Sequence, residues 1–182
     1  KIVVTGSSTT SGSDYVIAVS RYNTDGSLDT SFSGDGKLLA WVWGTREAGK
    51  DVAVQADGKI VVVSVGWVGA GNAMVVLRFN TNGTLDTSFN GSGTRIGTLS
   101  STEDGGVSVA IQPDGKILVG DYSTNVSGKR TFAILRYNTD STLDTSFSGT
   151  GGVKTTIGNG DSLPSRMALQ PRSAEHTSEL QS

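Results

Sequence analysis

The chain has 182 residues with a formal net charge of −2, 35% hydrophobic and 18% charged residues, and no cysteine. That balance offers no basic field to a phosphate backbone, and the missing thiols exclude disulfides and thiolate metal sites, so nucleic-acid binding and cysteine chemistry both drop out. No stretch reaches the roughly eighteen apolar residues of a membrane span, while 25 glycines among many Ser, Thr and Asn fit short strands joined by tight turns.

In chain order, residues 1–4 open on a strand pattern and residues 15–22 follow as a second strand, apolar at odd and even positions alike, which predicts burial on both faces. Its end merges into Arg21-Tyr-Asn-Thr-Asp-Gly-Ser-Leu-Asp-Thr-Ser-Phe32, and a further strand is predicted over 37–43. Residues 52–55 and 59–63 then flank Asp57-Gly58, a two-residue hairpin signal. The pattern now repeats. A strand over 73–79 runs into Arg78-Phe-Asn-Thr-Asn-Gly-Thr-Leu-Asp-Thr-Ser-Phe89, with the next strand over 94–99; residues 107–112 and 116–119 flank Asp114-Gly115; and 132–137 runs into Arg136-Tyr-Asn-Thr-Asp-Ser-Thr-Leu-Asp-Thr-Ser-Phe147, with 153–157 after it. Residues 166–170 read as the first strand of yet another unit.

From Arg21 to Arg78 to Arg136 the steps are 57 and 58 residues, and Gln55, Gln112 and Gln170 step likewise. Lys1, Lys59 and Lys116 stand 20, 19 and 20 residues before those arginines, so the one change of length falls in the connection between second and third strands, as expected of a surface loop. Four short strands per unit, antiparallel because two-residue turns require it, are the sequence form of a propeller blade. The expected fold is all-β: a partial β-propeller of about three four-stranded antiparallel blades from a larger array, since closed rings take about four to eight. A β-solenoid is the rival architecture. The units lie near 1–55, 56–112 and 113–170, the chain starting and ending within a blade, and the end blades are expected to present apolar faces that favour self-association. After Pro171 the repeat is lost. Residues 172–182 resemble the translation of a sequencing-library adapter and are expected to be non-native.

Gln112-Pro-Asp-Gly-Lys-Ile-Leu-Val119, followed by Phe132-Ala-Ile-Leu-Arg-Tyr-Asn-Thr-Asp140 and Leu143-Asp-Thr-Ser-Phe147, resembles the bacterial delta-60 repeat, and the resemblance extends over residues 1–171. That family is taken to form β-propellers and has no assigned activity. The resemblance implies a non-catalytic binding scaffold within a larger secreted or cell-surface bacterial protein, meeting a protein or glycan partner and the neighbouring blades of its array.

Three sets of residues are candidates for more than packing. Asn23, Asp25 and Asp29 bring oxygen ligands into one turn, as do Asn80, Asn82 and Asp86, and Asn138, Asp140 and Asp144. Calcium could use such a loop, giving a calcium-stabilised module as an alternative, but Asx-turns closing on their own backbone are the preferred reading and no cofactor is expected. Arg21, Arg78 and Arg136 each precede an aspartate by eight residues, Asp29, Asp86 and Asp144, and are expected to form structural ion pairs. Leu28, Leu85 and Leu143, with Phe32, Phe89 and Phe147, are expected to anchor that connection in the core. Trp41, Trp43 and Trp67 have no counterpart in the following unit, where Thr98, Ser100 and Thr124 stand, and are candidates for stacking on a ligand.

No catalytic residue is expected. The only histidine, His176, lies in the tail expected to be non-native, so nucleophile–base arrangements are not expected. Glu47 with Asp51 and Glu103 with Asp104 are carboxylate neighbours without repetition of type. A propeller hydrolase with its acids elsewhere is the remaining alternative.

Overall fold

The computed structural model describes residues 1–10, 14–42, 47–68, 71–97 and 104–170. Among these residues are three antiparallel sheets, each a meander in which every strand pairs with its sequence neighbours. The first holds β1 (Ile2–Thr9), β2 (Tyr15–Tyr22) and β3 (Lys37–Ala40). The second holds β4 (Ala48–Val54), β5 (Ile60–Val68), β6 (Gly71–Phe79) and β7 (Thr94–Gly97), and the third β8 (Asp104–Ile111), β9 (Ile117–Thr124), β10 (Arg130–Tyr137) and β11 (Gly152–Thr155). The fold is therefore all-β and forms consecutive propeller blades. Asp-Gly turns close the β4–β5 and β8–β9 hairpins, with Gln55 N–H bonded to the Lys59 carbonyl and Gln112 N–H to that of Lys116.

The blades stack face to face, and strand alternation divides the core in two. Ile60 and Val62 of β5, with Val75, Leu77 and Phe79 of β6, turn toward the first blade and pack with Ile17, Val19 and Phe32. Val61 and Val63, with Met74, Val76 and Phe89, turn the other way onto Val109, Ile117, Val119, Leu135 and Tyr137 of the third. Close approach matters here. A Cβ on Gly106 of β8 would collide with Val63 and Met74, so the bulge between Gly106 and Ser108 brings bare backbone against the middle blade.

Two-sided burial of the third strand of each unit holds fully for β6, which has a blade on either side; in β10 buried and half-buried residues alternate. The second strands run further than the apolar pattern indicated, through Val68 and Thr124, because they carry ladder partners along their whole length. The fourth strands are shorter, pairing over four residues each. Residues 166–170 do not form a strand. A strand needs a ladder partner, and the Asp-Gly-Lys-Ile that would fold back to supply one is missing from the sequence after Pro171. The segment nonetheless holds its repeat position: Met167 N–H donates to Ser108 Oγ at 3.1 Å, as Val109 N–H donates to Asp51 Oδ2 at 2.9 Å one blade earlier.

The leucine expectation also needs correcting. Leu28 and Leu85 are exposed; bridge pairing with Tyr22 and Phe79 turns them over Gly36 and Gly93 at the blade rim. Leu143 does pack, half-buried, against the core shared by the second and third blades; of the phenylalanines, Phe32 and Phe89 are fully buried and Phe147 is half-buried.

Candidate functional site

The strands present two ends, with different chemistry. At the end of the Asp-Gly turns, each unit places its third-strand arginine beside the aspartate eight residues on. Arg21 Nε lies 2.8 Å from Asp29 Oδ2, Arg78 Nε 2.7 Å from Asp86 Oδ2, and Arg136 Nε 2.6 Å from Asp144 Oδ2. The first two are hydrogen bonds, whereas the third is an ion pair off the N–H direction. A lysine from the start of the second strand joins each carboxylate, Lys1 at 3.2 Å, Lys59 at 3.0 Å and Lys116 at 2.8 Å. Each aspartate also takes the hydroxyl of the serine two residues on, Ser31, Ser88 or Ser146. The Ser31 hydroxyl holds Asp29 well below the usual carboxylate range, helped by Lys1 and Arg21. Burial alone would push Asp86 up, yet Ser88, Lys59 and Arg78 together hold it far down. For Asp144 the Lys116 ammonium is the largest cause, then Ser146.

The arginines reach further than the sequence indicated. Arg21 Nη1 donates to the Thr81 carbonyl and Arg78 Nη1 to the Thr139 carbonyl, each at 2.5 Å and each in the next blade. Their guanidinium groups lie over Phe32 and Phe89, 4.9 and 4.7 Å from the ring centres. Ser33 N–H bonds the Asn82 carbonyl, and a Cβ on Gly83, at φ +89°, would press on the Phe32 ring at 3.1 Å. Ser141 takes that positive φ where the first two units have glycine. This end is an inter-blade fastening. Its missed signal was the lysine: it begins the second strand in every unit, but which acid it meets depends on strand pairing.

The Asx turns consume their own oxygens. Asp25 Oδ1 accepts both Ser27 N–H and Ser27 hydroxyl, at 3.0 and 2.7 Å, and the hydroxyl first, then the amide, lowers its pKa. Asn23 binds Ser27 Oγ through its amide and receives Lys1 Nζ; Asn82 and Asp140 repeat the Asp25 pattern with Thr84 and Thr142. Asp25 and Asp29 thus serve separate partners instead of converging on one point. Among the described residues, no group of three or more His, Cys, Asp or Glu is placed to hold a metal ion.

The opposite end carries what differs between units. Trp41 follows β3 and Trp67 stands near the end of β5, 59% and 45% exposed, both at the end where the second and third strands are joined. Trp43 lies outside the described residues, as do Glu103 and His176. Glu47 and Asp51 do not pair: buried Glu47 accepts Val42 N–H, while Asp51 Oδ2 accepts Ser108 Oγ and Val109 N–H. Below this end sits a group the repeat pattern did not flag, Asp121 of β9, fully buried with Oδ1 accepting Gly105 N–H at 2.7 Å. Burial, reinforced by Asp104, pushes its pKa up to about 7. Its signal was an acid inside an apolar strand where the preceding unit has Ser64.

No helix among the described residues is long and apolar enough to cross a membrane. A search of curated proteins returns no match. The family described as a domain of unknown function (DUF5122) beta-propeller matches residues 1–32, 55–89 and 112–147, three segments that each carry the lysine-to-phenylalanine core of one blade or the greater part of it. With more than half of its length matched in blade register, the chain belongs to the DUF5122 beta-propeller family.

Proposed function

We propose that the chain is a non-catalytic propeller scaffold of the bacterial delta-60 type, carried by a secreted or cell-surface protein, and that it binds a glycan or protein partner at the end bearing Trp41 and Trp67. The observation behind this reading is the contrast between the two ends. One end repeats unit by unit and engages its charges internally, Arg78 with Asp86 and Thr139 for example. The other exposes aromatic side chains that the next unit lacks. A rigid sheet scaffold carrying variable aromatics at its loop end suits stacking on a sugar face or insertion into a partner.

A glycan array probed with the 182-residue chain, followed by titration of the best glycan against tryptophan fluorescence, tests the proposal. Saturable binding is expected, with loss of about tenfold or more in affinity on Trp41→Ala plus Trp67→Ala, a change of about 1.4 kcal/mol. Binding that survives both substitutions places recognition elsewhere. A chain that hydrolyses a bound glycan contradicts the non-catalytic assignment.

A further inference from the structure

The junction between the middle and third blades buries more acid than the junction before it. Asp104 of β8, with Asp121 and Ser123 of β9, is fully buried. Asp104 stands opposite Ser123 in the β8–β9 ladder, and Gly106 opposite Asp121. A Cβ on Gly106 would strike Val63 and Met74 of the middle blade, so by strand alternation Asp104, Asp121 and Ser123 all lie on the face that meets that blade. Three oxygen-bearing side chains at neighbouring positions are thus closed in where the two blades pack.

Their oxygens are incompletely used. Asp121 Oδ1 accepts Gly105 N–H at 2.7 Å, but Asp121 Oδ2 and the hydroxyl of Ser123, two positions along the same strand face, find no hydrogen-bond partner among the described residues. The preceding junction has a different set. There Glu47, Ser64 and Gly66, each 57 residues earlier, stand for Asp104, Asp121 and Ser123, and the single carboxylate, Glu47, accepts Val42 N–H beyond β3 of the first blade. The later junction therefore holds a second carboxylate where the earlier one has a hydroxyl, and a hydroxyl where it has bare backbone. Two carboxylates sharing a buried space repel each other and lose their hydration, and the cost falls when a positive charge joins them. Lys154 of β11 favours ionised Asp121, but it sits two strands away across Ala133 and is exposed.

We propose that Asp104, Asp121 and Ser123 form a binding site for a divalent cation of the oxygen-seeking calcium class at the junction of the middle and third blades. The two carboxylates supply the charge and Ser123 Oγ a neutral ligand. Hard oxygens alone suit calcium, whereas zinc and copper favour nitrogen and sulfur. Calcium takes about six to eight oxygens, so main-chain carbonyls and water complete the shell, and two acids suffice. All three side chains belong to one hairpin, so the ion ties β8 to β9 and stiffens the surface on which the middle blade packs. The site is separate from the Asx turns, whose oxygens are engaged locally. It uses neither Trp41 nor Trp67, so its outcome is independent of the proposed binding role.

The test takes the chelator-treated 182-residue chain at pH 8, titrates it with calcium chloride in a calorimeter, and compares melting with and without about 5 mM calcium. One calcium per chain is expected, with a rise of several degrees in the melting midpoint. Asp121→Ser and Ser123→Gly take the residue types of the preceding unit. The first is expected to abolish the calcium shift and the second to weaken binding about tenfold. Asp25→Asn, in an Asx turn, is expected to leave calcium binding unchanged. No bound calcium up to about 5 mM overturns the assignment, as does calcium that binds Asp121→Ser as tightly as the parent chain or is lost on Asp25→Asn. Should Asp121→Ser fail to fold, Asp121→Asn, which keeps the size and the Oδ1 acceptor but removes the charge, carries the same expectation.

Discussion

Among single residues, Arg78 gathers four kinds of interaction, as Arg21 does one blade earlier: an ion pair with Asp86, a bond to Ser88, a carbonyl of the next blade and the face of Phe89. Both charges are almost fully buried, so removing the arginine leaves the carboxylate with Lys59 as its one remaining cation among the described residues. Arg78→Ala is expected to destabilise the chain by roughly 3 kcal/mol in urea unfolding, and Arg136→Ala, whose side chain is more exposed, by clearly less; equal losses would mean the inter-blade bond contributes little. Asp121 acts in the opposite sense. Its carboxyl binds a proton more tightly folded, with a pKa near 7, than unfolded, near 3.8. Its stabilising effect is therefore complete below about pH 4 and is lost as pH rises through 7. Asp104 opposes its ionisation, Gly105 N–H and Lys154 favour it, and Tyr137 is the buried neighbour whose own pKa Asp121 helps raise. Melting at pH 8 is expected below melting at pH 5, and Asp121→Asn should narrow that gap. The eight-residue spacing made the arginine–aspartate partners legible in the sequence. The Thr81 and Thr139 contacts were not, because they join residues some sixty apart that only blade stacking brings together.

Strands were easier to read than their packing. Short apolar runs flanking Asp-Gly turns place the hairpins, since turn and ladder are local in sequence. Strand length and the fate of residues 166–170 depend on which partner lies alongside, a non-local matter. The phenylalanine after each Asx turn shows how the same local sequence acquires different burial. Phe32 and Phe89 are covered by the following blade, whereas Phe147 is half-buried among the described residues. Phe89→Ala is expected to cost about 3–5 kcal/mol, the usual range for emptying a buried aromatic site. Phe147→Ala should cost less than half of that, because much of its surface stays in water in the folded blade. Chemical denaturation of the two variants under identical conditions reads the difference, and equal losses would place Phe147 in a closed interface. Leu28 and Leu85 follow a different logic: identical placement in every unit predicted a shared structural role, but their role is to cover rim backbone, not to enter the core.

At the scale of the molecule, the described inter-blade cores join sequence-adjacent blades, so stability follows a blade's number of covered faces more than its own composition. The middle blade has both faces covered, and β6 is buried along seven consecutive residues from Ala73 to Phe79. Local opening there must break two interfaces at once, with the Arg21 and Arg78 fastenings on either side. Opening of an outer blade breaks one. Amide hydrogen exchange is therefore expected to be slowest over Val61 to Val63 and Val75 to Leu77, faster in β2 and β10, and fastest among the paired strands at β3, β7 and β11, which are sheet edges. β1, the edge strand of the first blade, should likewise exchange quickly. Uniform protection across the three blades would mean that the molecule opens only as a whole, and would remove the argument that neighbour contacts set local stability.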